Sequence, residues 1–327
     1  MDLKWLQSLY YSSSQLPRED EFYTNLLMDA DFLANFPQVF QLLKEQGRLE
    51  DTPLFFRQHL KERYKESYYQ NLFIKNQTVQ ILKAFEEQEI LVIPLKGVFF
   101  SEKYFGHLGA RITSDIDLLI KNVQLEKVIP VIKSLGFSVE EEEIDGHFHR
   151  SFSKELPGSE IPLTVELHWD LLKENTASLP IDEFWKQSRP LKPFFYIREL
   201  SDYHTFYMIC LHGWRHNLDS LKFYLDIIQL IYRVGDQIDY GNLIADTTQH
   251  KTHRRITRTL AIVYQECPFL EKIKEFPYRD KKVYLSYKEK KNPRGRMFKK
   301  YKDFIDYQFL SYDTAEHRFR ELISWLK

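Results

Sequence analysis

Hydrophobic side chains near both ends of the chain recur every three or four residues. This spacing holds over 21–88, and after residue 190 it returns most clearly at 202–214 and 220–234. Side chains at such intervals lie on one face of an α-helix, so each stretch predicts helices that pack against a core. We therefore predict helical regions at 1–87 and at 186–327.

The middle of the chain has a different pattern, in which short apolar runs alternate with turn residues and with two helical stretches. The runs predict buried strands. The predicted strands are 90–94, 114–120, 137–139, 147–153 and 162–169, and the predicted helices are 97–105 and 122–135. This order predicts a compact α/β core at 88–185 between the two helical regions, and hence an α+β protein.

The strand at 114–120 carries two aspartates, Asp115 and Asp117, ahead of an unbroken apolar run. Alternate residues of a strand point to the same face, so the two carboxylates share one face. Like charges at this separation repel, and a divalent cation with oxygen ligands is the expected partner. The motif alone leaves open a second interpretation, a strand end whose acids face solvent.

Three further elements contain side chains that suit a site for a metal ion and phosphate groups. Lys96 and Gly97 stand where a strand gives way to a helix, a position at which backbone N–H groups and a cation can hold an anion. Arg111 and Ser114 precede the aspartates directly, and an Arg there can reach phosphate oxygens. Glu166 lies in an alternating strand and would add a third carboxylate if that strand pairs with 114–120. The alternatives are an ordinary tight turn at Lys96 and Gly97, a surface salt bridge from Arg111 to one of the aspartates, and an exposed strand position for Glu166.

Bulk composition narrows the class of protein. The chain has 327 residues with 46 Lys and Arg against 47 Asp and Glu, so no overall charge marks it as a nucleic-acid binder. Its two cysteines lie far apart, which suits a reducing compartment. Neither a signal peptide nor a membrane span is evident, so we expect a cytoplasmic protein with no membrane partner.

The motifs around the aspartates resemble a known superfamily. They read L-K-G at 95–97, R-x-x-S-D-I-D-L-L-I at 111–120 and V-E-L-H-W at 165–169. Together they resemble the nucleotidyltransferases related to DNA polymerase β, most closely an uncharacterised bacterial branch in which Lys-Gly replaces the usual Gly-Ser. The resemblance is strong over 91–169 and weaker at 223–227.

The resemblance implies a polymerase-β-like core, a small mixed sheet with helices, and it assigns roles to several residues. Asp115 and Asp117 would bind two metal ions, and Glu166 would complete the site. Gly97 and its helix would hold the β- and γ-phosphates. The sequence departs from the superfamily in two ways, because Val98 replaces the usual Ser or Gly and because the interval from Gly97 to Asp115 is longer.

The reaction that follows from this resemblance is transfer of a nucleoside monophosphate from a nucleoside triphosphate to a hydroxyl acceptor, with release of pyrophosphate. The expected cofactor is a pair of Mg²⁺ ions, with Mn²⁺ as the alternative. Lys96 and Arg111 would steady the triphosphate, and either Glu166 or Asp117 would accept the proton. A non-catalytic, nucleotide-binding regulatory module is the alternative function.

The acceptor is not specified by these motifs. A small molecule, a protein or peptide side chain, and a tRNA 3′ end all suit them. Lys222 and Asp226, in the helix at 220–234, are candidate contacts for the nucleotide or the acceptor. The segment 279–302 mixes basic and aromatic residues, and although a solvated segment is the simpler interpretation, RNA is a candidate partner there.

Overall fold

A computed structural model describes residues 3–140, 148–278, 282–292 and 294–326, with side chains described as far as 323. The first residue of the strand predicted at 147–153 lies outside the described residues, as do four positions of the basic segment. The chain divides into two compact units. The helical unit comprises Met1–Leu60, Asn175–Pro180 and Asp202–Lys327, and the sheet unit comprises Lys61–Glu174 and Ile181–Ser201.

Helices account for most of the chain outside the central region. In chain order they are α1 (Gln7–Tyr10), α2 (Asp20–Leu27), α3 (Ala30–Leu33), α4 (Phe36–Glu45), α5 (Leu54–Glu87), α6 (Gly97–Phe105), α7 (Leu125–Ser134), α8 (Ile181–Lys186), α9 (Asp202–Arg215), α10 (Leu221–Val234), α11 (Tyr240–Gln249), α12 (His253–Glu266), α13 (Tyr287–Lys291), α14 (Met297–Ile305) and α15 (Ala315–Leu326). Among the described residues, no helix is both long and apolar enough to cross a membrane.

The sheet unit contains a five-stranded sheet. Its strands are β1 (Val92–Pro94), β2 (Asp115–Ile120), β3 (Ser138–Val139), β4 (His149–Lys154) and β5 (Leu163–His168). They lie in the order β1-β2-β5-β4-β3. The pairing of β2 with β5 is parallel and the other pairings are antiparallel, so the sheet is mixed. Two short strands, β6 (Arg189–Pro190) and β7 (Arg198–Glu199), form a separate ribbon.

One face of the five-stranded sheet is covered by helices. Ile116 and Leu118 of β2 and Val165 of β5 are buried in a single core with Phe85 of α5 and Ile132 of α7. Burying a side chain of this size contributes roughly 1.5–3 kcal/mol. Because side chains alternate along a strand, the residues between these positions point to the other face of the sheet. The core therefore determines which face carries the polar side chains of β2 and β5.

The predicted elements of the central region agree with the structure to within a few residues at their ends. α6 begins at Gly97 as predicted, and α7 ends just before Gly136, whose φ of +88° suits a glycine after a helix. β1 is shorter than the predicted strand at 90–94 and begins at Val92. The mixed helical and sheet composition of the predicted α+β fold is confirmed. The polymerase-β-like arrangement and the boundaries at 87/88 and 185/186 stay predictions.

The helical unit has a core of its own. Buried apolar residues of α9, α10 and α12 fill it, including Ile209, Ile228 and Leu260. α10 begins with a side-chain cap, because the Ser220 hydroxyl accepts a hydrogen bond from the backbone N–H of Lys222. The predicted helices at 202–214 and 220–234 thus correspond closely to α9 and α10.

Candidate metal and nucleotide site

The pairing of β2 with β5 brings carboxylates of two strands together. In the parallel register, Asp117 lies opposite Glu166 and Asp115 lies opposite Thr164. These side chains occupy the face of the sheet opposite to the helix-covered core. The condition under which Glu166 would add a third carboxylate, that its strand pairs with the strand of the two aspartates, is met by this register.

His168, two residues after Glu166 on β5, joins the two carboxylates. Its Nε2 atom is 3.1 Å from Oδ1 of Asp117 and 3.1 Å from Oε2 of Glu166. Each of the three side chains offers one atom that can bind a metal ion, and these atoms lie within 4.8 Å of one another. Two carboxylates and an imidazole so close together form a ligand set that a divalent cation can use.

Lys96 approaches the other oxygen of the same aspartate. Its Nζ atom is 3.0 Å from Oδ2 of Asp117, which is the distance of an ion pair. The directional geometry is not that of a hydrogen bond, and this buried oxygen has no aligned donor. The side chain of Asp117 is 1% exposed. A buried carboxylate oxygen without an aligned donor is what a site for a cation requires, so the residues present fit a divalent metal ion.

The charges of this cluster shift the pKa values of its members. Burial opposes ionisation of Asp117, but Lys96 and the hydrogen bond from His168 outweigh it and hold the pKa well below its usual range. The hydrogen bond from His168 is the main cause of a lowered pKa at Glu166. Burial acts to lower the pKa of His168, yet its two carboxylate partners raise it overall. Both carboxylates are therefore ionised at neutral pH.

The turn between β1 and α6 is fixed against β2. Gly97 has φ of +76°, a conformation that favours glycine. A Cβ atom at this position would lie 3.5 Å from Cγ2 of Thr113 and 3.8 Å from the backbone oxygen of Asp115. Leu95 donates its backbone N–H to the carbonyl of Asp117 at 3.0 Å. The N-terminus of α6 is thus held beside the strand that carries the aspartates.

Two amides of α5 hold the loop that leads into β2. Asn71, which is fully buried, donates through Nδ2 to the carbonyls of Leu108 and Arg111 and accepts the backbone N–H of Thr113 at 3.1 Å. Gln70 donates to the carbonyl of Thr113 at 2.8 Å. These contacts position the start of β2. Sequence reasoning missed them because they join residues about forty positions apart, and their one local signal was a polar residue on an apolar helix face.

The residues that precede β2 have different surroundings. Arg111 is buried, and its guanidinium lies 5.2 Å from the ring centre of Phe100. Ser114 is exposed and donates to Oδ1 of Asp115 at 3.3 Å. Asp115 itself is half-buried. The assignment of Arg111 and Ser114 to substrate binding stays a prediction.

The two candidate contacts on α10 belong to the helical unit. Lys222 lies in the first turn of α10 and is half-buried, whereas Asp226, one turn later, is almost completely buried. Their expected role as contacts for the nucleotide or the acceptor stays a prediction.

Two histidines near the acids were not among the predicted site residues. His168 follows Glu166 at the two-residue interval of a strand, so the alternation in V-E-L-H-W already placed it on the same face. His149 of β4 lies opposite His168, and the two rings stack with centroids 5.1 Å apart. His149 could be located only once the pairing of β4 with β5 was known.

The chain belongs to a family described as uncharacterised nucleotidyltransferase, whose model matches residues 32–265. The match includes Lys96, Asp115, Asp117 and Glu166, and the family suggested by the sequence motifs is confirmed. Membership supports nucleotidyl transfer as the general chemistry and a nucleoside triphosphate as substrate. Enzymes of this kind generally use divalent metal ions. No curated protein and no solved structure matches the chain.

Proposed function

We propose that this protein transfers a nucleoside monophosphate from a nucleoside triphosphate to a hydroxyl acceptor and releases pyrophosphate. The observation that carries the proposal is the parallel register of β2 and β5, which places Asp117 opposite Glu166 with Asp115 on the same face. Three carboxylates on one face, beside a helix N-terminus, suit metal-assisted phosphoryl chemistry.

Asp115, Asp117 and Glu166 would hold the metal ions, and we propose two Mg²⁺ ions as the cofactor, with Mn²⁺ as the alternative. When bound, such ions neutralise the charge of the phosphates and lower the pKa of the attacking hydroxyl. His168 adds a nitrogen ligand next to the carboxylates. The carboxylate oxygens suit Mg²⁺ and Mn²⁺ alike.

The chain's own residues would bind the triphosphate and accept the proton. Lys96 and the N-terminus of α6 at Gly97 offer positive charge to the anionic phosphates. Glu166 is the better placed of the two candidate bases, because its side chain is 27% exposed and that of Asp117 only 1%. An acceptor hydroxyl can therefore approach Glu166 more readily.

RNA is one candidate acceptor, beside small molecules and proteins. In the described part of the basic segment, Phe298 and Tyr301 of α14 are exposed. The ammonium of Lys302 lies 4.2 Å from the ring centre of Phe298. Exposed aromatic rings among cations are typical of surfaces that bind single-stranded nucleic acid, which supports this acceptor class.

The test is transfer of label from an α-³²P nucleoside triphosphate to components of a cell lysate. We expect the parent protein to label an acceptor and the Asp115→Asn and Asp117→Asn variants to label none. Asp182→Asn is the matched control, because Asp182 is an exposed acid of the same unit on α8. Undiminished labelling by the Asp115 and Asp117 variants would refute the proposal.

A further inference from the structure

Asp117 is a buried carboxylate whose two oxygens face two different side chains, His168 and Lys96. Oδ1 is 3.1 Å from Nε2 of His168, and Oδ2 is 3.0 Å from Nζ of Lys96. A charge buried this deeply requires a partner, since an uncompensated carboxylate is costly in the protein interior. Lys96 therefore supplies positive charge that a metal ion would also supply.

The two contacts differ in how firmly they are held. His168 and Asp117 lie on paired strands, and the imidazole also contacts Glu166, so backbone pairing and a second carboxylate fix it. Lys96 instead reaches Oδ2 from the turn before α6, through a flexible four-carbon stem, and its contact is not an aligned hydrogen bond. Of these two contacts to Asp117, that of Lys96 is therefore the more easily broken.

A divalent ion that binds Oδ2 of Asp117 would lie close to the ammonium of Lys96, and like charges at that distance repel. A triphosphate offers this ammonium another partner. The N-terminus of α6 begins at the residue after Lys96, and helix N-termini attract phosphate groups. The phosphates would therefore bind within reach of the same ammonium.

We infer that Lys96 competes with the divalent cation for Asp117 and moves to the phosphates when the nucleotide binds. The inference rests on the proposed function. It makes metal and nucleotide binding cooperative, because each removes Lys96 from a contact that hinders the other. By linkage, the nucleotide raises the affinity for the cation by the same factor as the cation raises the affinity for the nucleotide. Lys96 is then a coupling residue in addition to a phosphate contact.

The decisive variant is Lys96→Met, which keeps most of the side-chain volume and removes the charge. We expect the nucleotide-free variant to bind Mn²⁺ at least about tenfold more tightly than the parent protein. Titration of the free Mn²⁺ signal by electron paramagnetic resonance measures this affinity directly. Lys103→Met is the matched control, because Lys103 belongs to α6 and pairs with Glu199 at 3.1 Å. Its Mn²⁺ affinity should equal that of the parent.

A second variant keeps the experiment decisive if Lys96→Met folds poorly. Lys96→Arg retains the charge and offers a fork of donors to the carboxylate, so we expect it to bind Mn²⁺ no more tightly than the parent. Circular dichroism identifies any variant that does not fold. Equal or weaker Mn²⁺ binding by folded Lys96→Met would overturn the inference, as would tighter binding by Lys96→Arg.

A nucleotide titration separates this inference from the proposed function. The probe is an α,β-methylene ATP analogue, measured by calorimetry with Mn²⁺ and with EDTA, after correction for chelation of Mn²⁺ by the analogue. We expect Mn²⁺ to strengthen binding of the analogue to the parent more than to Lys96→Met. If both proteins bind the analogue with the same dependence on Mn²⁺, the inference fails and the proposed function stands. If neither binds it, the proposed function fails.

Discussion

Each unit of the protein contains a cluster of buried charge, and the two clusters differ in how completely their carboxylate oxygens are hydrogen-bonded. In the helical unit, Arg258 donates through Nε to Oδ2 of Asp306 and through Nη2 to Oδ1 of Asp303, both at 2.8 Å. All three side chains are nearly inaccessible. Each carboxylate thus receives an aligned hydrogen bond, and the cluster is closed to solvent.

The cluster of the sheet unit is less complete and more open. Oδ2 of Asp117 has an ion pair but no aligned donor, and Glu166 is partly exposed. Asp115, on the same face, has no ion pair among the described residues. The comparison teaches that buried charge alone does not identify a site. A cation site differs from a structural ion pair in three ways. It has more acidic than basic side chains, a carboxylate oxygen that accepts no aligned hydrogen bond, and access from solvent.

Replacing an aspartate by asparagine in each cluster should have the largest effects, on the reaction rate in the sheet unit and on stability in the helical unit. Asp117→Asn should lower the rate of nucleotidyl transfer at least about 10³-fold, or about 4 kcal/mol in the barrier, because it removes one of the proposed metal ligands. Asp303→Asn should leave the rate within about threefold while lowering the melting temperature. Pyrophosphate release and thermal unfolding measure the two effects. If both variants lost the same amount of activity, the proposed difference between a functional and a structural cluster would be wrong.

Removing the basic side chain from each cluster should show that only the cluster of the sheet unit responds to a metal ion. Arg258→Met removes the guanidinium that pairs with two buried carboxylates and should cost about 3–5 kcal/mol of the free energy of unfolding. The loss of stability in Lys96→Met should be smaller with Mn²⁺ than with EDTA, because the ion replaces the lost charge. Urea unfolding with Mn²⁺ and with EDTA measures both. Rescue of Arg258→Met by Mn²⁺ would contradict the account.

Buried histidines of the two units should respond differently to pH. Burial lowers the pKa of His204, in α9 of the helical unit, to about 4, whereas carboxylates raise that of His168. The unfolded chain binds a proton at a histidine near pH 6.5, while folded His204 stays neutral until about pH 4. Stability from this residue is therefore complete above pH 6.5 and is lost as the pH falls towards 4.

This pH effect of His204 should amount to about 2 kcal/mol in the free energy of unfolding between pH 7 and pH 5. In His204→Gln, we expect that part of the pH dependence to disappear, as measured by urea unfolding at both values. His59→Gln, at an exposed position, is the control and should retain it. An unchanged pH dependence in His204→Gln would show that burial does not keep this imidazole neutral.

Replacing each of two glycines of the sheet unit should distinguish a glycine that serves only the fold from one that also serves the site. Gly97 and Gly136 both have positive φ, so replacement of either by Ala should cost roughly 1–2 kcal/mol of stability. Only Gly97→Ala should also weaken nucleotide binding, since Gly97 begins α6 beside the aspartates. Equal nucleotide affinity in the two variants, measured by calorimetry, would place the phosphates elsewhere.

The polar face of the sheet was largely predictable from the sequence, because strand alternation is a local property. Asp115, Asp117 and Glu166 follow from it directly, and His168 would have followed had the same alternation been continued by two residues. The ion pair of Lys96 with Asp117 was not predicted, because a lysine next to a glycine at a strand-to-helix junction suggested a phosphate contact. Which side chains meet across the fold depends on packing that local patterns do not encode.

The same limit applies to the contacts that hold the site in place. Asn71 supports the loop ahead of β2 from a helix about forty residues earlier, and no spacing rule connects the two. The roles of Lys222 and Asp226 on α10 came from their place in a predicted helix, and they stay predictions. Local periodicity thus predicted the elements, whereas the second layer of contacts required the three-dimensional structure.

The central claim is that the α-phosphate of a nucleoside triphosphate is transferred at the face that carries Asp117 and Glu166. The most direct test compares α-³²P and γ-³²P ATP, together with the other labelled nucleotides, in the presence of lysate and Mn²⁺ or Mg²⁺. We predict that the α-label enters an acceptor and that the γ-label is released as pyrophosphate. Transfer of the γ-label instead, or binding of nucleotide with neither transfer nor pyrophosphate release, would contradict the account.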